Sequence, residues 1–202
     1  MRNFNKSNLF VSFIAVFLLI GCGHETLDKF QDIEKNNSLN NEQKIIEMAK
    51  AAWMFIVVDS SRDWKVVNIG DNQYRLIGST IDTSGISAVN ANNFKSVTTK
   101  LDAIYVWRLF QGAEKFGLKE IVYSHYMKPM GSDQFLIYKM HVTTNQLDSK
   151  VPDWRKLDPF DVEDADLLSS KEAQKVQDTI PTVWTYLDDN FSDITIGGQQ
   201  AQ

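Results

Sequence analysis

Apolar residues recur at three- and four-residue steps in two stretches of the chain, and elsewhere gather into short runs bounded by turn-forming residues. In the first stretch Ile45, Met48, Ala49, Ala52, Trp53 and Ile56 share one face, which predicts a helix from Glu42 to Val58 capped by Asn41. Its second half, Trp53 to Val58, is apolar on every side and is expected to be buried. Two runs rich in β-branched and aromatic residues follow, Trp64 to Ile69 and Gln73 to Ile81, flanking Gly70-Asp71-Asn72; this predicts a β-hairpin. Asp82 to Lys95, with Gly85, Asn90, Asn92 and Asn93, reads as a loop.

A second helix is predicted from Ser96 or Thr98 to Phe116, ended by Gly117 where a left-handed residue is needed. Ala103, Val106, Trp107, Phe110 and Ala113 form its core stripe, widened by Leu109 and Phe116, while Asp102, Arg108 and Lys115 fall elsewhere. A second hairpin is expected from Lys119 to Met130 and Asp133 to Thr143, turning at Gly131-Ser132. That register puts Ile121, Tyr123, His125 and Met127 on one face with Leu136, Tyr138, Met140 and Val142, and leaves Ser124, Lys128, Lys139 and His141 opposite. Ser169 with Glu172 forms a capping-box pattern for a short helix to about Asp178, and Pro181 suits the first turn of another, from which Val183, Trp184 and Leu187 dock. Phe191 to Ile196 reads as a short strand.

Each hairpin needs one face covered, and an amphipathic helix precedes each. The expected fold class is therefore α+β: an antiparallel sheet of two β-hairpins with helices packed mainly on one face. The organisation expected is a signal segment over 1–21, a flexible tether over 22–40 with Leu27, Phe30 and Ile33 as isolated apolar residues, one domain over 41–196, and a disordered tail over 197–202.

The N-terminus has a different pattern. Arg2 and Lys6 precede an apolar run from Leu9 to Ile20, then Gly21 and Cys22, the layout of an export signal. As a helix the run would extend roughly 18 Å at ~1.5 Å per residue, short of the ~30 Å hydrocarbon core. Leu19-Ile20-Gly21-Cys22 resembles the lipobox of bacterial lipoproteins. The resemblance implies cleavage between Gly21 and Cys22 and a diacylglyceryl group on the Cys22 sulfur, with palmitate-type acylation. It covers about the first tenth of the chain. Cys22 is the only cysteine among the 202 residues, so it cannot close an intramolecular disulfide. Two acyl chains suffice for stable attachment. Gly23, in place of an aspartate after the cysteine, favours the outer membrane facing the periplasm in a two-membrane host, again by resemblance.

Removing residues 1–21 takes away Arg2 and Lys6 and leaves 19 cationic against 26 anionic side chains, a formal charge of −7. An acidic body without a Lys/Arg cluster is not expected to bind nucleic acid. The partners expected are the membrane, through lipid on Cys22, and another envelope protein.

Three histidines are the side chains best suited to chemistry near neutral pH. His24 lies two residues from the lipid. A two-residue turn puts His125 and His141 on opposite faces of the sheet; a three-residue turn would put both on one face, able to share a metal. The acidic run Asp158, Asp161, Glu163, Asp164 and Asp166 lacks the glycine and alternate spacing of an EF-hand loop and reads as a solvated approach to a helix. Gly85-Ile86-Ser87 and Gly131-Ser132 place serines near glycine without completing a nucleophile turn. No catalytic constellation, metal site or cofactor is expected. Trp154 and Phe160, in a polar link, either cover the end of the core or form an exposed partner-binding patch. The function expected is a membrane-anchored, non-enzymatic binding or assembly component. Its rivals are a small envelope hydrolase with a site assembled from distant residues, for which His125 beside a carboxylate in a deep pocket would be the sign, and a carrier of a small apolar ligand.

Overall fold

A computed structural model describes residues 23–53, 64–82, 91–128, 133–156 and 171–187. Cys22 and the export segment, Phe160, the acidic run, both glycine-serine sites, the strand expected at Phe191 to Ile196 and the tail lie outside the described residues.

The elements are α1 (Gly23–Lys35), α2 (Asn41–Ala52), β1 (Trp64–Gly70), β2 (Gln73–Asp82), α3 (Ala91–Ala113) with a 3-10 turn at Glu114–Phe116, β3 (Leu118–Met127), β4 (Phe135–Thr143), α4 (Thr144–Lys150), α5 (Lys171–Thr179) with a 3-10 turn at Ile180–Val183, and β5 (Thr185–Leu187). The class is α+β. The strands form one five-stranded sheet in the order β1-β2-β3-β4-β5.

The sheet is mixed, which corrects the expectation of a wholly antiparallel sheet built from two hairpins. β1–β2, β3–β4 and β4–β5 are antiparallel, but β2 and β3 pair in parallel from Tyr74–Leu118 to Asp82–Met127. The cause is α3. A helix between two strands carries the chain back to its starting end, so the next strand runs in the same direction. The two hairpins thus share their inner edges, and β5 extends the sheet beyond β4.

Local signals explain most element ends. Asp71 and Asn72 both have positive φ (48° and 55°), the backbone of a tight hairpin turn that matches strand twist. Gly117 has φ 94°, and a Cβ there would lie 2.2 Å from the Asn72 carbonyl oxygen. Its own carbonyl accepts from Tyr74 N at 2.8 Å, so the end of α3 is joined to the β1–β2 turn. α2 is capped by Asn40 rather than Asn41, in a reciprocal box with Gln43, and ends at Ala52. α4, capped by Thr143 and Gln146, was not expected.

The segment expected as a tether is helical. Leu27, Phe30 and Ile33 are spaced three apart, and Phe30 is 4 % exposed, its ring filling the space where a Gly112 side chain would be. Lys44 Nζ donates to the Glu34 carbonyl at 2.7 Å, and Lys115 pairs with the Glu34 carboxylate. Among the described residues no helix is long and apolar enough to cross a membrane.

The main core joins residues of α2, α3, α5 and the second 3-10 turn to Leu76, Ile121, Tyr123, Tyr138, Met140 and Val142 of the sheet. Ile77 and Val122, facing the other way, form a small separate cluster with Val67. α3 is buried from Asp102 to Phe110 without a break, so it has no solvent stripe in this stretch and both Asp102 and Arg108 are enclosed.

Candidate functional site

Three buried side chains of the sheet converge on one carboxylate from α3. Tyr123 and His125 point from β3 to the core face, and Tyr138 of β4 stands opposite His125. Trp53 reaches the same place from the end of α2. Asp102 receives them all. The Trp53 indole N–H donates to Oδ1 at 2.9 Å, Tyr123 OH donates to Oδ1 at 3.3 Å, His125 Nδ1 lies 2.8 Å from Oδ2, and Tyr138 OH donates to Oδ2. A carboxylate only accepts, so the proton of the histidine contact sits on Nδ1. Tyr123 OH, 3.2 Å from that nitrogen, is then committed to Asp102 and accepts in turn from Thr80 Oγ1.

The cluster is closed. His125 is 2 % exposed and Asp102 0 %. Trp53 packs on Trp64, Tyr105 and Tyr123 with ring centroids 5.1–5.7 Å apart, and Trp64 stacks on Tyr123 over Gly78, where a Cβ would meet the indole at 2.0 Å. Burial first, and the Asp102 charge second, hold both tyrosine hydroxyls well above their ordinary pKa, so they remain neutral donors. The arrangement binds a buried charge by four donors, which is what a charge in a core requires.

The remaining candidates are dispersed. His141 lies on the face opposite His125, as the two-residue turn predicts, with Nε2 3.2 Å from Glu120, which also accepts from Arg75 Nε at 2.7 Å. The pairing sum expected from a turn at Gly131-Ser132 holds from Glu120–Thr143 to His125–Tyr138, beyond which a bulge shifts Met127 opposite Phe135 instead of on the Leu136 face. Among the described residues no group of three or more His, Cys, Asp or Glu side chains could hold a metal.

Trp154 is 0 % exposed, so it does not present a surface patch. Its ring meets Trp107 and Phe110 edge-on, its indole N–H donates to Asp148 at 2.8 Å, and Arg155 lies over it at 4.2 Å. It covers the end of the core, the first of the two roles its position suggested.

Asp102, Tyr123, Tyr138 and Trp53 were not recognised from the sequence as one group. The signal was present in the strands: two tyrosines and a histidine on an apolar face each need a partner when buried, and the covering helix must supply the acceptor. Comparison with family models, with curated proteins and with solved structures found no match to this chain.

Proposed function

We propose that the protein is a membrane-anchored envelope lipoprotein whose domain binds or supports another envelope component rather than catalysing a reaction. The observation that carries the reading is Leu19-Ile20-Gly21-Cys22 behind a short apolar run, with Cys22 the one cysteine of the chain. Lipid on that sulfur holds the protein to a membrane, the outer one facing the periplasm in a two-membrane host. In this reading the helices cover mainly one face of the sheet, in keeping with a core in which helix residues join only one set of alternating strand positions.

The burial of the Asp102–His125 pair supports the non-enzymatic half of the proposal. A general base must come within about 2.6–3.2 Å of the proton it takes. A ring enclosed by Tyr123, Tyr138 and Asp102 has no such approach in this state. The hydrolase reading draws its one support from the same pair, since an imidazole oriented by a carboxylate through Nδ1 is also the arrangement of a catalytic base.

The test is Cys22→Ser in cells fed labelled palmitate. The native chain is expected to take up label and fractionate with membranes, and the variant to lose both; equal membrane partition without label in either would refute the anchor. Crosslinking of the native chain then identifies what the domain touches, and recovery of self-crosslinks alone counts against an assembly role.

A further inference from the structure

The sheet has a second polar feature, on the face away from the Asp102 cluster. Ser79 of β2 stands beside Ser124 of β3, and Ser124 stands opposite Lys139 of β4. Direct neighbours across strands share a face, with Cβ atoms about 4.5–5.5 Å apart in an antiparallel pair. The three side chains therefore form one row.

All three are enclosed: Ser79 is 2 % exposed, Ser124 0 % and Lys139 4 %. The Ser124 hydroxyl is fully buried and has no hydrogen-bond partner. Of the three, Ser124 is the one whose polar atom is fully buried without a partner. Among the described strand residues of this face the one acidic side chain is Glu120, four positions before Ser124, and it is already held by Arg75 at 2.7 Å and by His141 at 3.2 Å.

A buried donor left unsatisfied costs the desolvation of that group, and native proteins satisfy the large majority of them. A fully buried hydroxyl without a partner, set in one row between a second serine and a buried lysine, marks a place where an acceptor is missing. We propose that this row binds a small oxyanion, a carboxylate or phosphate group, between the Lys139 ammonium and the Ser124 and Ser79 hydroxyls. A metal cation is disfavoured because the ammonium repels it, and an apolar ligand would leave every donor as it is. A negative oxygen ligand gives the Ser124 hydroxyl its acceptor and offsets the Lys139 charge beside it. The inference does not depend on Cys22 and goes beyond anchoring, by giving the domain a ligand.

The full-length protein in nonionic detergent is titrated with sodium phosphate, and separately with sodium acetate, at fixed ionic strength while Tm is followed. In a second arm the protein is placed in phosphatidylcholine vesicles with and without phosphatidylglycerol. A saturable rise is expected, roughly 5–10 °C at a hundredfold excess over Kd for a chain of this size. Saturation by a free ion assigns the site to a soluble ligand; a rise with phosphatidylglycerol alone assigns it to a lipid headgroup. Lys139→Met and Ser124→Ala are expected to weaken the response at least tenfold. Ser124→Ala removes an unsatisfied hydroxyl, so without anion it should be as stable as the native chain, which guards against a fold defect being mistaken for a binding defect. Absence of a saturable rise in both arms, or an equal rise in the two variants, overturns the proposal.

Discussion

At Asp102 a single side chain decides whether four buried donors are satisfied. Asp102→Ala leaves Trp53 Nε1, His125 Nδ1 and the hydroxyls of Tyr123 and Tyr138 facing a void. Breaking a buried charged network by removing one partner costs about 3–5 kcal/mol, a large share of the ~5–15 kcal/mol that holds a domain folded. We expect a loss of that size in urea denaturation, and a double-mutant cycle with Tyr138→Phe should show coupling of about 0.5–3 kcal/mol. A loss below about 1 kcal/mol would mean that the network does not hold the core. The sequence concealed this residue for a physical reason. A helical wheel assigns a charged residue off the apolar stripe to solvent, but α3 is covered on all sides from Asp102 to Phe110, so being off the stripe did not mean being outside. His125 was placed on the correct face by strand alternation alone; only its partner, which lies on another element, was missing.

Between elements, the link after α4 is fixed to the end of α3 by a different device. Arg155 bonds Glu114 twice, through Nε at 2.8 Å and a terminal nitrogen at 2.6 Å, reaches Asp148 on its other side, and stacks on Trp154. The Arg155 bonds hold the Glu114 carboxyl below its ordinary range, helped by Lys119 and opposed by partial burial, and hold Asp148 down with help from the Trp154 N–H. For a carboxylate whose folded pKa is depressed, the stabilisation is complete above the unfolded pKa and disappears as pH falls through the folded value. Arg155→Ala should therefore lower Tm at neutral pH, by the equivalent of roughly 0.5–1 kcal/mol for a half-exposed network. The gap from the native chain should close as pH falls below the ordinary carboxylate range near 4. Thermal melts of both chains across pH 2.5–7 check this, and a gap that persists at the acid end contradicts it. What was legible at this scale follows the range of the signal. The β1–β2 pairing, the β3–β4 pairing as far as His125–Tyr138 and the stop at Gly117 depend on residues close in sequence, whereas Trp154, open in the sequence between core cover and an exposed patch, is decided by its packing on Trp107 and Phe110. The parallel β2–β3 pair depends on where α3 returns the chain, and no window of residues contains that. The order strand, long helix, strand is nonetheless a crossover pattern, which favours a parallel pair between the two hairpins.

For the molecule as a whole, the docking of α1 changes what an anchor at Cys22 would do. A tether of 18 residues would let the domain range over the membrane, whereas a helix that begins at Gly23 and is clamped to the body leaves almost no slack. The clamp includes the Phe30 ring against Gly112, the Lys44 ammonium on the Glu34 carbonyl, and the Lys115–Glu34 pair. The last is exposed on both sides and contributes little beside the ring and the buried lysine. The leading element can detach without unfolding the sheet, because α1 adds no strand and its contacts are confined to one flank; such local opening is governed by its own contacts rather than by global stability. Phe30→Ala removes the largest apolar contact and should leave the body folded while exposing residues 23–40 to protease. On vesicles carrying the lipidated chain, limited trypsin treatment is expected to cut the variant at Lys29 or Lys35 at least tenfold faster than the native chain and to release a folded body into solution. Equal cleavage rates would show that the helix gives no protection and that the segment acts as the flexible leash its polar composition suggested. Faster cleavage with the body still held on the vesicle would place a second membrane contact beyond α1.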